Sequence, residues 1–467
     1  MKILRYLLFL LPVMVFASAS GGAPHLNGAD LSIIWVFPFA GILMSIAVFP
    51  LVAPNFWHRH FGKISVFWAL LLIIPFLFKV GFSITIYELL HVGFLEYIPF
   101  IILLLALFTI SGGVQLTGSL VGKPIVNTGV ILIGTILASW MGTTGAAMLL
   151  IRPLIRANKD RQNKVHIIVF FIFLVANIGG SLTPLGDPPL FLGFLKGVDF
   201  FWTTSAMFLP MLFMAVCLLV VFFALDTFLY NKEESHPISK SVEKFGIKGS
   251  FNLILLVGVI GGVLISGFWH PHISFDVYHV HLELQNIVRD LLLLGLTVAS
   301  WKMTSQSIRE ANEYTWFPIV EVAKLFAGIF ITIIPAIAIL KAGTDGALSA
   351  VINSVSNENG PVNFMYFWAT GILSSFLDNA PTYLVFFNTA GGDPSLLMGD
   401  LSQTLLAISA GAVFMGANTY IGNAPNFMVK SISESSGIEM PSFFGYLFKW
   451  SLPILVPLFI LVSFLFF

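Results

Sequence analysis

Apolar runs of about 20 residues, the length that carries a helix across the hydrocarbon of a bilayer, recur along nearly the whole chain. They lie near 32–54, 64–80, 95–111, 165–195, 203–229, 251–269, 286–301, 323–341, 401–432 and 446–467. A soluble domain carries about 25% charged residues, whereas here 10% are charged and 57% are hydrophobic. The pattern predicts an all-α polytopic membrane protein with about ten transmembrane helices. Lys+Arg and Asp+Glu balance at 23 each, so no global field favours nucleic acid, and the expected environment is the lipid bilayer. The single cysteine, Cys217, excludes an intrachain disulfide.

Residues 1–19 combine a basic start (MKILR), a short apolar core and a small-residue stretch at Ala17–Ser18–Ala19. They read as a signal peptide or an extra first helix. Scaffold helices are expected over 20–94 and a linker with connecting helices over 230–322.

Two other stretches, 125–155 and 362–390, are about 30 residues long with small polar residues in the middle: SWMGTTG at 139–145 and SSFLDNAP at 374–381. Each could be one long tilted helix or a re-entrant hairpin that returns to its own side. Loop 152–164 holds Arg152, Arg156, Lys159, Arg161 and Lys164 against Asp160 alone, which predicts a cytoplasmic loop. Lys123 precedes the same stretch, so both of its ends are expected inside. The stretch 362–390 is flanked by Glu358, Asp393 and Asp400 without Lys or Arg, so both of its ends are expected outside. Hairpins satisfy both conditions.

A shift of 236 residues (423 − 187) superposes the two polar regions. Ser139 meets Ser375, Gly142 meets Asp378 and Thr143 meets Asn379. Under the same shift GSLTPLGDPPLF (180–191) meets GANTYIGNAPNF (416–427), pairing Thr183 with Thr419, Gly186 with Gly422 and Asp187 with Asn423. The expectation is an inverted repeat: 95–229 with hairpin 125–155 and broken helix 165–195, then 323–467 with hairpin 362–390 and broken helix 401–432. Two re-entrant hairpins and two unwound helices then converge near the midplane.

Proline removes an N–H and clashes with a preceding carbonyl, so Pro184, Pro188 and Pro189 stop the first helix. Backbone broken at membrane depth survives only inside protein or beside a watery cavity. A carboxylate there costs at least about 2.5–3.5 kcal/mol, so it either protonates or holds a cation. Asp187 and Asp378 are therefore the candidate Na⁺ ligands and proton acceptors. Oxygens from Ser139, Thr143, Thr144, Thr183, Ser374, Ser375, Asn379, Asn418, Thr419 and Asn423 suit a hard cation. Asn177 lies on the helix leading to Asp187 and is expected to line the cavity. Asp226, Lys341 and Lys79 sit at span ends and are expected at the interface. The histidines His270, His272, His279 and His281 read as a solvated external loop. No HExxH, CxxC or Walker pattern is present, so neither an enzyme nor a cofactor is expected.

The segments SLTPLGDPPLF with GVDFFW, SSFLDNAPTYL and GANTYIGNAPNF resemble the ion transporter superfamily, and within it the NhaD-type sodium/proton antiporters and their citrate-transporter relatives. The likeness covers most of 95–467. At the first tip, where the NhaD-type pattern has an Asp-Asn pair, this chain has Gly142 and Thr143. The resemblance implies a homodimer in a bacterial inner membrane, each protomer with a scaffold and a mobile part moving in elevator fashion. It implies exchange of Na⁺ (or Li⁺) for H⁺ as the first reading, because the tips hold no Arg or Lys to pair a carboxylate substrate. Na⁺- or H⁺-coupled transport of citrate or another organic acid is the second. A non-transporting membrane scaffold would give no reason for duplicated breaks in the bilayer.

Overall fold

The computed structural model describes residues 23–118, 120–233 and 246–467. The expected leader at 1–19 and part of the linker lie outside the described residues. In lipid every backbone polar group must find a partner within the protein, and the long runs of Leu, Ile, Val and Phe accordingly fold as helices. These are α1 (Phe37–Val52), α2 (Pro54–Val80), α3 (Phe82–Ser111), α4 (Pro124–Met141), α5 (Thr143–Ala157), α6 (Val165–Leu174), α7 (Pro188–Leu195), α8 (Phe200–Lys232), α9 (Phe251–Phe268), α10 (Leu284–Met303), α11 (Phe317–Thr332), α12 (Ile334–Lys341), α13 (Asn363–Phe376), α14 (Asn379–Thr389), α15 (Ser402–Met415), α16 (Ala424–Ser435) and α17 (Phe443–Phe466). Proline opens α2, α4, α7, α11 and α12 at the first two positions, where its missing N–H costs nothing.

Seven of these helices are long and apolar enough to cross a membrane, or eight if α11 and α12, bent by 41°, form one span. The protein is an all-α polytopic membrane protein. α10 has the length but carries Arg289 and Asp290 near its start. α3 and α17 each contain a one-turn π segment, at Gly93–Tyr97 and Leu447–Ser451. The expected domain boundaries at 94/95 and 322/323 both fall inside helices, α3 and α11, which run through them unbroken.

Contacts between loops sort the segments into two sets. In the first, strand β1 (Gln115–Thr117) pairs antiparallel with β2 (Gly246–Lys248), the Gly122 N–H donates to the Ala157 carbonyl at 2.9 Å, and Arg152 pairs with Glu313 at 2.9 Å. In the second, the Tyr278 hydroxyl donates to Ser83 at 3.1 Å, Gly197 abuts the Pro394 ring, and Thr404 donates to Asn363 at 2.8 Å.

Asp226 is a correction. It was expected at the interface, yet it is fully buried. It accepts from Arg161 Nη2 at 2.9 Å, His166 Nε2 at 2.8 Å and Asn127 Nδ2 at 2.9 Å. Arg161 also pairs with Glu233 at 2.9 Å and donates to the Gly122 carbonyl at 3.0 Å. The reason is geometric: α8 runs on to Lys232, so position 226 lies inside its end, and the 158–163 loop folds its one arginine inward over it. Lys79 and Lys341 are exposed in the last turns of their helices.

Candidate functional site

The two breaks are built alike. α6 ends at Leu174, a short 3-10 turn covers Ile178–Ser181, and α7 starts at Pro188 with Asp187 at its N-cap. α15 ends at Met415, a 3-10 turn covers Gly416–Asn418, and α16 starts at Ala424 with Asn423 at its N-cap. In each, one glycine lies against another too closely for a side chain. A Cβ on Gly186 would lie 2.1 Å from the Gly180 carbonyl oxygen, and one on Gly422 would lie 2.6 Å from that of Gly416.

The tips are built alike as well. α4 turns into α5 at Gly142, whose φ of 81° favours glycine. α13 turns into α14 through Leu377 and Asp378, and the Asp378 carboxylate caps α14 by accepting from the Ala380 N–H at 3.1 Å. Each helix pair packs along its length.

Hydroxyls then pin tip to break. Thr183 donates to the Ser139 carbonyl and Thr419 to the Ser375 carbonyl. The Leu185 N–H donates to Thr183 Oγ1 and the Ile421 N–H to Thr419 Oγ1, both at 3.2 Å. Ser139 donates to Gly179 and Ser375 to Met415. Ser374 donates to the Ala412 carbonyl at 2.6 Å, and Asn418 donates to Ser375 Oγ at 2.9 Å. The hydroxyls of Ser139, Ser374, Ser375, Thr183 and Thr419 thus bond to freed backbone, the need that broken helices at membrane depth create.

One carboxylate joins all four elements. Asp187, 1% exposed, accepts at Oδ1 from Thr143 Oγ1 at 3.2 Å and from Asn423 Nδ2 at 2.9 Å, and at Oδ2 from Asn379 Nδ2. Thr143 comes from the first tip, Asn379 from the second and Asn423 from the second break. The Thr143 N–H also donates to the Gly186 carbonyl at 2.9 Å. An ionised carboxylate is acceptor-only, and three donors on it stabilise its charge. Amides carry an oxygen too. Turned about, Asn379 and Asn423 would join Asp187 and Thr143 as an all-oxygen set of the kind a hard cation takes. Asn379 Oδ1 is buried and has no hydrogen-bond partner among the described residues.

Asp187 borders a cavity of about 100 Å³, together with Gly142, Thr143, Thr144, Pro184, Asp378, Asn423 and side chains of α3 and α11. Asp378 is half-buried and lines it from the second tip. The structure therefore brings Asp187, Asp378, Thr143, Thr144, Asn379 and Asn423 together. Asn177 does not line this cavity. It lies behind Asn423, accepts its Nδ2 at 3.3 Å, and donates to Asn426 Oδ1 at 2.7 Å, tying the two breaks to each other. Asn426 was missed in the sequence, where it stands beside Pro425 as one more amide. It donates to the carbonyls of Gly416 and Thr419 at 2.8 and 2.9 Å. Among the described residues no three His, Cys, Asp or Glu side chains cluster to hold a metal. The histidines at 270–281 lie on or beside the hairpin of Ser274–Val277 with Val280–Glu283.

The sequence pattern of one protein family, described as "Putative citrate transport", matches residues 28–467. The chain belongs to that family. It is a transporter family within the ion transporter superfamily, and its match spans both tips and both breaks, so the protein is a multi-pass membrane protein of a transport family. The match names citrate transport and does not extend to NhaD-type antiport. No curated protein sequence matches the chain.

Proposed function

We propose that the protein is a secondary active transporter in which a cation and a proton compete for Asp187 and Asp378, with exchange of Na⁺ (or Li⁺) for H⁺ as its activity. The observation that carries this reading is the meeting of both tips and both breaks on the Asp187 carboxylate. A proton or a cation arriving there changes the bonding of four elements at once, and so couples occupancy to conformation.

In this reading 125–155 and 362–390 are re-entrant hairpins, 165–195 and 401–432 are unwound helices, and the halves 95–229 and 323–467 form an inverted repeat. The matched hydrogen bonds of Thr183 and Thr419 support it. Together with α8 these pieces form the unit that moves in elevator fashion against α1–α3 and α9–α12. The protein works as a homodimer in the bacterial inner membrane. Neither a cofactor nor an enzymatic step takes part.

The family match favours a second reading, Na⁺- or H⁺-coupled movement of citrate or another organic acid. Among the described residues no Lys or Arg lines the cavity beside Asp187, so a polyanion would have to enter with cations that offset its charge. Proteoliposomes with an internal pH dye, challenged with Na⁺, Li⁺, K⁺ and citrate against a pH gradient, separate the two. Proton efflux driven by Na⁺ alone supports exchange. Citrate-dependent proton movement with no response to Na⁺ alone refutes exchange in favour of the second reading.

A further inference from the structure

Beside the cavity at Asp187 lies a second one, of about 150 Å³, and Asp378 and Asn423 line both. It is lined by Pro54, Trp57 and His58 at the turn between α1 and α2 and by Glu321 of α11. Three groups able to carry a proton, His58, Glu321 and Asp378, thus line one space. His58 is exposed, Glu321 is half-buried, and Asp378 lies at the tip.

Glu321 is bound by little. The indole N–H of Trp57, itself buried, donates to its Oε1 at 3.2 Å, and no other side chain or backbone group among the described residues bonds to it. An uncharged glutamine would satisfy that indole equally well, so packing does not account for a carboxylate inside a membrane helix. Among the described residues lining this cavity, an imidazole (His58 of α2) and a second carboxylate (Asp378) accompany Glu321. Lys324, one turn along α11, points to the Phe61 ring instead, 5.4 Å from its centroid. Tyr420, also in the wall, donates its hydroxyl to the Pro441 carbonyl at 3.1 Å. Among the described residues the Asp378 carboxylate bonds only to the N–H that it caps on α14, so it keeps capacity to take a proton. The wall is otherwise apolar, so His58, Glu321, Tyr420, Asp378 and Asn423 are the groups that could hold water there, and the space is large enough for it.

We propose that Glu321 is the proton-loading station of the transport site, receiving protons through His58 from the face that carries the α1–α2 turn and passing them to Asp378. An imidazolium N–H of His58 breaks and an O–H forms on the Glu321 carboxylate. That O–H then breaks as one forms on Asp378 through water in the cavity. Glu321 returns to its ionised form, water at the aqueous face reprotonates His58, and the net result is one proton moved from that face to the tip. This rests on the reading that Asp378 takes protons in competition with the cargo.

The test uses purified protein in proteoliposomes and two rates: net proton flux driven by whichever solute, Na⁺ or citrate, the wild type couples to protons, and equilibrium exchange of that labelled solute, which needs no net proton transfer. Glu321→Gln keeps an acceptor for Trp57 and the side-chain shape. It is expected to lower the ratio of proton flux to exchange by about a hundredfold, the scale at which positioned acid–base groups act. His58→Gln is expected to lower the ratio less, because solvent reaches Glu321 without it. Asp378→Asn is expected to lose both rates together. A wild-type ratio in Glu321→Gln, or equal loss of both rates, overturns the station while leaving the transport reading intact. A wild type that couples neither solute to proton movement overturns that reading and the station with it.

Discussion

Asn423 donates its side-chain amide to the Asp187 carboxylate at 2.9 Å, and the two residues stand 236 positions apart, each at the N-cap of the helix that follows a break. One break supplies the charge and the other the amide that stabilises it. Hydrogen bonds to charged groups contribute about 1.5–3 kcal/mol. Asn423→Ala is therefore expected to raise the cation concentration for half-maximal transport by about tenfold to a hundredfold, measured as the cation dependence of proton flux in vesicles. An unchanged concentration dependence would place the cation elsewhere.

Competition at a shared carboxylate fixes the sign of the pH effect. A protonated Asp187 cannot hold a cation, so the apparent KM for the cation is expected to rise as pH falls and to level off once the site is deprotonated. Transport at saturating cation should recover most of the lost rate. A KM that stays flat across pH would mean that cation and proton do not share the site.

Both breaks depend on a glycine meeting a glycine. Gly186→Ala and Gly422→Ala would drive a methyl group into a carbonyl oxygen, and overpacking of this kind costs about 1–3 kcal/mol or more. Each is expected to lower the thermal unfolding temperature in detergent. Gly129→Ala, on α4 where nothing lies within 4 Å of the new methyl, is expected to be neutral or mildly stabilising. The contrast is read by differential scanning fluorimetry on the three variants.

The buried group around Arg161 holds the base of α4, the 158–163 loop and the end of α8 together. Removing one partner of a buried pair costs about 3–5 kcal/mol because the other charge is left uncompensated. Arg161→Met strands both Asp226 and Glu233, and is expected to lower stability more than Asp226→Asn, which keeps an acceptor for His166 and Arg161. Chemical unfolding of the two variants, compared with wild type, checks the order.

What could be read from residues alone followed how strongly each feature is written locally. Prolines at 184, 188 and 189 and the Gly-Asn-Ala-Pro of 422–425 announce helix stops by their covalent chemistry, so both breaks and the offset between them were legible. The tips were legible as polar residues with nowhere else to go. The fate of Asp226 was not, because its partner Arg161 lies 65 residues away and reads in sequence as one of five loop cations facing water. Asn177 looked like a cavity residue because it stands on the apolar run that leads to Asp187. The chain leaves the helix just before it, at Leu174, and that unwinding turns its amide toward Asn426 instead. The sequence held no sign that α1–α2 would lay His58 beside Glu321, a juxtaposition made wholly by tertiary packing.

Transport by this site requires that Asp187 trade a proton for a cation. Titrating purified protein with Na⁺ in two buffers of different ionisation enthalpy counts the protons released per cation bound. The expected result is release of protons on binding by wild type, and neither binding nor release by Asp187→Asn at protein concentrations where that variant remains folded. Na⁺ binding by Asp187→Asn with wild-type affinity and wild-type proton release would contradict it.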